Sequence, residues 1–549
     1  MRIHRSSPAF ARIFLGVTLS ASLGLMVSGC TTQGVVGDQG VSSSPAAPPK
    51  AKGSLEKVVW DLPAGEPTSL DWGRAFDYSS HAVLSNLCEG LVRQNPDNSI
   101  KPLLAESVDH PNSLTYVFNI RKGVHFWDGK ELTAKDVSYS LGRELDPKSG
   151  AFWGVYFVNV KDIRETGLSQ VTIDMKSPDE VFPSLLATYG GTIGEASYVE
   201  SHGTSYGTAS GGVMCTGPYK LQSWQPGQQI AMVRNDDYWD SAVKPKVGEV
   251  DFKFLTDPST LANALQSNQI DGAYEVPVGA VTQLQSSTTG KLYTGPSTQW
   301  TGMLYTGSPG AFANSSVREA LWLSIDKSAL AKSVYQGTAT PIRSANFPAV
   351  WGFGTKIFQA GYDGRPSPDV NLAEAQKLVQ QAGATNGTVT LAAQSDDATA
   401  VQTAEIVQSA GKQIGLDVQL KLMAGPQISA LQVDPAARKG IDIFLSARFI
   451  DIADPMQLLN EFLPDGQYNY ANYNSPEFAQ NVNDAYATGD SDQRAASEAK
   501  ATTLLDNSWS ILPLLNTSER LYLNSRVAGA PSSFGYLYYP WAQDLGSSK

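Results

Sequence analysis

Strand-like and helix-like segments alternate along most of this 549-residue chain, and the alternation limits the folds that it can adopt. Residues 114–120 alternate apolar and polar side chains with the period of a strand, and Thr133 begins a helical segment with a capping pattern. In the second half, a helical segment at 398–413 lies between strands at 389–393 and 417–423. We therefore predict a mixed α/β fold in two large halves, with ligand bound between them.

The first 29 residues have the pattern of a secretory signal peptide, because three arginines precede a short apolar run. The run ends at Val27-Ser28-Gly29-Cys30, which resembles a bacterial lipobox, although a cysteine can also follow small residues by chance. We predict that Cys30 becomes the lipidated N-terminus and that residues 30–54 form a flexible tether. The protein would then be lipid-anchored on the extracytoplasmic face of the bacterial cell membrane, with no other membrane contact.

The charge balance excludes nucleic acid as a partner. The chain has 41 basic and 53 acidic residues, a formal net charge of −12, and no basic cluster outside its first dozen residues. Nucleic-acid phosphates are bound by clustered Lys and Arg, which this composition does not supply.

Cys88 and Cys215 are the two cysteines that remain after Cys30. An even number in an exported protein favours one disulfide, and two buried free thiols are the alternative. Neither cysteine belongs to a CxxC pair, so both interpretations assign them a structural role.

Few catalytic or metal-binding motifs occur in the chain. The four histidines beyond the signal peptide form no HExxH motif, and the chain contains no GxxxxGK[ST] loop. An SxxK pattern at 324–327 has no accompanying KTG or SDN motif. We therefore predict no catalytic residues, no metal site and no cofactor. A peptide-processing enzyme remains the alternative from another class.

Several motifs, in order along the chain, carry a resemblance to a known family. They are Leu104-Ala-Glu-Ser107, Phe126-Trp-Asp-Gly129, Leu132-Thr-Ala-Lys-Asp-Val137, Thr216-Gly-Pro-Tyr219 and Gln269-Ile-Asp-Gly272. Together they resemble the family 5 extracellular solute-binding proteins, the dipeptide- and oligopeptide-binding components of ABC importers. The resemblance extends over roughly residues 58–540.

The resemblance implies a two-lobed, periplasmic-binding-protein-like (Venus flytrap) α/β fold with an extra domain inserted in lobe I. Lobe I would combine residues 55–90, 190–300 and 505–549, the inserted domain would cover 91–189, and lobe II would cover 301–504. Two crossings of the chain would form a hinge, and ligand would stabilise the closed state. The permease subunits would then recognise closure of a monomeric binding protein.

The segment around Asp451 is the most informative for the ligand. Asp454 before Pro455 is typical of a helix start. Asp451 instead resembles the family's aspartate that pairs with a peptide's α-ammonium group, a charge-assisted hydrogen bond. Where peptide-binding members often have Trp, three residues earlier, this chain has Arg448. Arg448 could bind an anionic part of the ligand, or it could pair with Asp451 or Asp454.

Five further residues are candidates for contact with the ligand by analogy with the family. Phe76, Asp77 and Tyr78 fall near the family's first cleft-lining loop, whereas Trp300 and Tyr305 fall near the crossover into the second lobe. Aromatic rings could supply sequence-tolerant packing walls, and core packing is the alternative use.

These features predict a lipid-anchored receptor that delivers short peptides to an ABC importer. The alternative within the same family is another solute, namely a nickel chelate, an oligosaccharide, an opine or another cationic metabolite. The presence of Arg448 in place of Trp keeps this alternative open.

Overall fold

The protein is described by a computed structural model that covers residues 47–549. The predicted signal peptide, the lipidation site at Cys30 and the tether up to residue 46 lie outside the described residues.

A seven-stranded sheet is formed by both ends of the described chain. The strands in spatial order are Tyr219–Gln225, Gln229–Arg234, Val247–Lys253, Leu55–Asp61, Gly272–Ala273, Glu519–Asn524 and Gly290–Gly295. The strand Leu55–Asp61 alternates partly exposed and buried residues over 57–60 and runs parallel to Val247–Lys253. Trp60 from this strand packs against Trp541, with ring centroids 4.5 Å apart, so the C-terminal region covers the sheet.

A six-stranded sheet forms the centre of the second half. Its order is Ala339–Pro341, Ile511–Thr517, Gln299–Tyr305, Ile443–Phe449, Thr388–Gln394 and Asp417–Met423. The strand Gln299–Tyr305 has an antiparallel partner on each side, which places it inside the sheet. Ile511–Thr517 belongs to this second sheet, although the range expected for lobe I includes it. The division into lobes otherwise stays a prediction.

A four-stranded antiparallel sheet lies within the range expected for the inserted domain. Its order is Ala105–Asn112, Thr115–Ile120, Gln170–Met175 and Val160–Gly167. The helix Ala134–Leu145 contacts this sheet, and the carboxylate of Asp136 accepts hydrogen bonds from the backbone and hydroxyl of Thr133, which completes the predicted cap. The remaining strand pairs are Glu89–Gly90 with Thr192–Ile193, Val92–Gln94 with Ile100–Pro102 and Val527–Ala528 with Gly546–Ser547.

The α-helices pack around these three sheets. They are Tyr78–Leu87, Ala134–Leu145, Phe182–Leu185, Ala196–His202, Pro258–Gln266, Val281–Gln285, Ser315–Ser324, Lys327–Ser333, Thr355–Asp363, Leu372–Gln381, Ala398–Gln413, Gly425–Val433, Met456–Asn460, Pro476–Ala487 and Ser491–Ser508. The mixed α/β class predicted from the sequence is thereby confirmed. No helix between residues 47 and 549 has the length and apolar character needed to span a bilayer.

The chain passes between the two large sheets at two short crossings. The first lies between Gly295 and Gln299 and the second is Ser518. The amide of Asn516 ties the crossings together, because it donates to the carbonyls of Ser297 and Gln299 at 2.8 and 2.6 Å. A Cβ on Gly295 would meet the carbonyl oxygen of Ser532 at 1.6 Å, so this crossing needs glycine for close backbone approach.

Candidate ligand-binding site

A cavity of about 950 Å³ collects most of the residues that the sequence identified as candidates. Part of its lining comes from residues within 76–81, 152–158 and 181–185. Residues within 432–468 and 479–486 supply the rest. The cavity therefore lies between segments far apart in sequence, as expected for a site between two halves of a chain.

Asp451 lines this cavity at the end of a tight hydrogen-bond network. The Tyr156 hydroxyl donates to Oδ2 of Asp451 at 2.7 Å, and the Gln457 amide and the Tyr538 hydroxyl donate to the same carboxylate. The backbone N–H of Asp451 in turn donates to Oε1 of Gln457 at 2.8 Å. Three donors from three distant segments therefore fix the orientation of one carboxylate.

The electrostatics of this network follow from burial. Asp451 is only 6% exposed, and burial raises the pKa of its carboxyl, while the hydrogen bonds from Tyr538, Tyr156 and Gln457 oppose that rise. Burial and the neighbouring Asp451 charge hold the pKa of both tyrosines well above the ordinary value. Both tyrosines therefore stay protonated and act as donors.

Arg448 also lines the cavity, but its main partner is Glu461. Its Nη2 lies 2.8 Å from Oε2 of Glu461, and its guanidinium lies 3.3 Å from the centroid of the Tyr468 ring. Burial raises the pKa of Glu461 to about 7, and Arg448 opposes that rise. Of the pairings considered for Arg448, the structure shows neither Asp451 nor Asp454, which pairs with Arg494.

The first cleft-lining candidates divide between the cavity and the scaffold. Phe76 and Tyr78 line the cavity, and Tyr78 packs on Phe449 with ring centroids 5.5 Å apart. Asp77 lies outside the lining, where its carboxylate accepts from the backbone N–H of Ser80 at 2.7 Å and caps the helix Tyr78–Leu87. Asp77 lies between two lining residues because it caps the helix that begins at Tyr78.

Trp300 and Tyr305 lie outside the cavity. Each side chain belongs to a hydrophobic core packed on the sheet: Trp300 is 1% exposed and Tyr305 is 7% exposed. The Tyr305 ring packs under the guanidinium of Arg318 at 4.2 Å. The structure thus gives both aromatic residues the packing role that was the alternative to ligand contact.

Five residues that complete the site were not predicted from the sequence. They are Tyr156, Gln457, Glu461, Tyr468 and Tyr538. Gln457 and Glu461 were within reach of pattern reasoning, because they follow the Asp454-Pro455 helix start on one short helical stretch. The three tyrosines carry no local signal, since only the fold brings them together.

Two further predictions concern covalent and metal chemistry. Cys88 and Cys215 are joined by a disulfide, with Cα atoms 4.9 Å apart. Within residues 47–549, no group of three or more His, Cys, Asp or Glu side chains is arranged to hold a metal ion.

The fold and the cavity together define a protein that binds a solute between two parts of the chain. The family model for bacterial extracellular solute-binding proteins, family 5, matches residues 99–470. The chain therefore belongs to this family, and the resemblance drawn from the motifs is confirmed. Family 5 proteins are the non-enzymatic binding components of ABC importers, so the prediction that the chain is not an enzyme is also confirmed.

Individual relatives agree with this assignment. A dipeptide-binding protein of Bacillus subtilis strain 168 is 26% identical over 553 residues, which cover 96% of this chain and 98% of that protein. A binding protein from A. tumefaciens R10, solved with agropinic acid, superposes with a TM-score of 0.75 at 23% identity and covers 90% of this chain and 99% of its own. An ABC transporter-associated periplasmic binding protein from Helicobacter pylori, solved with the peptide STSA, has the same TM-score and coverage at 22% identity. These two structural likenesses support the two-lobed fold.

Proposed function

We propose that this protein binds short peptides in the cavity, with the α-ammonium group at Asp451, and delivers them to the permease of an ABC importer. The environment of Asp451 carries the proposal. Its carboxylate is supported by neutral donors, and no Lys, Arg or His within residues 47–549 forms an ion pair with it. A carboxylate held in this way retains its negative charge for a ligand cation.

The charge of the cavity lining supports a cationic ligand group. Three carboxylates line the cavity, from Asp451, Glu461 and Asp465, and Arg448 is the guanidinium among them. Arg448 is already paired with Glu461. Burial lowers the pKa of His81 to about 4, so this lining residue is neutral at pH 7. The local field therefore favours positive charge.

The volume of the site, and the separate parts of the chain that form it, suit a short flexible solute. A volume of about 950 Å³ is near the upper end of typical small-molecule pockets, which run from about 300 to 1,000 Å³. Tyr156, Asp451 and Tyr538 come from three separate parts of the chain. A ligand at Asp451 would therefore stabilise their closed arrangement, which the permease would recognise. The dipeptide-binding relative and the peptide complex agree with this choice of solute.

Identification of the ligands that copurify with the protein gives the direct test. Native mass spectrometry of the protein extracted from membranes should show a ladder of peptide masses, together with the added mass of acyl chains on Cys30. A single non-peptide mass would contradict the peptide assignment, and an unmodified N-terminus would contradict lipid anchoring.

Calorimetry with a tripeptide tests the residue that carries the proposal. Asp451→Asn is expected to weaken binding by about 1.5–3 kcal/mol, which is the scale of a charged hydrogen bond and corresponds to about 10- to 100-fold. Asp465→Asn removes another carboxylate from the same cavity and serves as the control, with a loss below about threefold. Equal effects of the two substitutions would show that only general charge matters and would remove Asp451 from the site.

A second candidate function is transport of a different solute, such as a nickel chelate, an oligosaccharide, an opine or another cationic metabolite. The observation that favours it is Arg448, whose Nη1 is buried without a hydrogen-bond partner among the described residues. A solute that carries a carboxylate beside its cationic group could use that donor. The agropinic acid complex of a structural relative agrees with this reading.

A further inference from the structure

One wall of the cavity exposes large apolar side chains to solvent. Phe76 is 58% exposed, Phe152 48%, Val155 50% and Val158 68%, and all four line the cavity. Isolated exposed apolar residues are ordinary, but a group gathered on the wall of one cavity indicates a surface that is covered during function. We refer to these four residues as the apolar wall.

The local structure holds the apolar wall in place. The 3₁₀ helix Trp153–Tyr156 and the residue after it bury Trp153 and Phe157, each 2% exposed, and the turn between them leaves Phe152, Val155 and Val158 outside. The Phe76 ring stacks on Phe152 with centroids 5.7 Å apart. The wall is therefore a preformed surface on a packed base, which limits the entropy lost when a ligand covers it.

The apolar wall lies close enough to Asp451 for the first few residues of a bound peptide to span the distance. The hydroxyl of Tyr156 is 2.7 Å from Asp451, the Tyr156 and Trp153 rings are 5.8 Å apart, and the Trp153 and Phe152 rings are 5.2 Å apart. An extended peptide advances about 3.3–3.6 Å per residue. A peptide held by its N-terminus at Asp451 thus reaches the wall with a side chain among its first three residues.

We infer that the apolar wall is a specificity subsite that binds a large hydrophobic side chain among the first three residues of the peptide. This inference rests on the proposed function, because it takes the N-terminus of the peptide to lie at Asp451. The occupant follows from continuity, since the four residues of the apolar wall line the same cavity as Asp451. Its apolar surface selects an apolar group, which releases water from both surfaces on contact.

Titration calorimetry with matched tripeptides tests the inference. Ala-Ala-Ala is compared with the three peptides that carry one Phe at position one, two or three. At least one Phe peptide is expected to bind about tenfold more tightly than Ala-Ala-Ala, as burial of an aromatic ring predicts. Replacement of Phe152 and Val155 by Ser should reduce this preference, measured as the ratio of the two affinities in the same variant, below about threefold.

The control variant is Leu168→Ser, because Leu168 is 92% exposed and does not line the cavity. It should keep the full preference, and Val158→Ser provides a second, milder variant of the wall. Tight binding of Ala-Ala-Ala that N-acetylation abolishes, with no gain from Phe, would overturn the subsite and leave the proposed function intact. A Phe preference that survives in the double variant would also overturn it. Failure of every peptide to bind would overturn both.

Discussion

The hydroxyl groups of Tyr156 and Tyr538 are expected to favour the ionised form of Asp451. Burial raises the pKa of Asp451, and the two tyrosines are the leading opposing influences. The ionised form of Asp451, which the proposed ammonium site requires, is lost as the pH falls through that raised pKa. Tyr156→Phe removes one donor to Oδ2 and Tyr538→Phe removes the donor to Oδ1, so each variant should lose the ionised form at a higher pH.

The magnitude follows from the bond that is removed. A hydrogen bond to a charged group is worth about 1.5–3 kcal/mol. At a pH where Asp451 is mostly protonated in both proteins, Tyr156→Phe should therefore bind a peptide about 10- to 100-fold more weakly than the wild type. The ratio should shrink toward one as the pH rises, because both proteins then carry an ionised Asp451.

Calorimetric titrations with one tripeptide between about pH 4.5 and 7 measure this ratio. The α-ammonium group, with a pKa of about 7.7–8.0, stays charged throughout that range. Glu461, whose pKa is about 7, titrates in every variant, so it affects the peptide affinity of the wild type and of the variant alike. Tyr78→Phe is the matched control, because the Tyr78 hydroxyl lies 3.5 Å from Gln299 and makes no hydrogen bond to Asp451. A ratio that does not change with pH, or the same profile in Tyr78→Phe, would refute the reasoning.

Two predictions concern stability. Burial raises the pKa of Glu144 to about 8, so the folded protein retains a proton that the unfolded chain releases above about pH 4.3, and stability falls by about 1.4 kcal/mol per pH unit between these values. Glu144→Gln should remove that slope from thermal melting curves, and a difference from wild type that is independent of pH would contradict it. Replacement of Cys88 and Cys215 by Ser should cost about 4–5 kcal/mol, because the disulfide closes a sequence separation of 127 residues, and an unchanged melting temperature would contradict that estimate.

The sequence predicted the architecture well because its signals are local. The predicted strand at 417–423 and helix at 398–413 match the structure residue for residue. Apolar periodicity indicates both elements, and the Asp397 side chain caps the helix. The strand Ile511–Thr517 was harder to assign, because its sheet depends on pairing with Gln299–Tyr305, more than 200 residues earlier. Strand patterns reveal that a strand exists but not which sheet receives it.

The candidate site was predictable only where one short segment carries it. Asp451 stood out because Asp454 and Pro455 already explained the neighbouring helix start. Trp300 and Asp77 show the opposite case, in which a suitable residue type near the cleft satisfies a core or a cap instead. Tyr156 and Tyr538 lie 295 and 87 residues from Asp451, so no spacing rule connects them with it.

Glu461 explains how an arginine can lie three residues before the carboxylate that we propose as the ammonium site. Free in the cavity, Arg448 would compete with a ligand cation for Asp451, because a guanidinium binds carboxylates in the same way. Glu461 and the Tyr468 ring hold Arg448 in a separate, partly buried pair. The pair contributes no net charge when Glu461 is ionised, so the negative field at Asp451 is preserved. Arg448 can therefore line the cavity while the proposed cation site at Asp451 stays available.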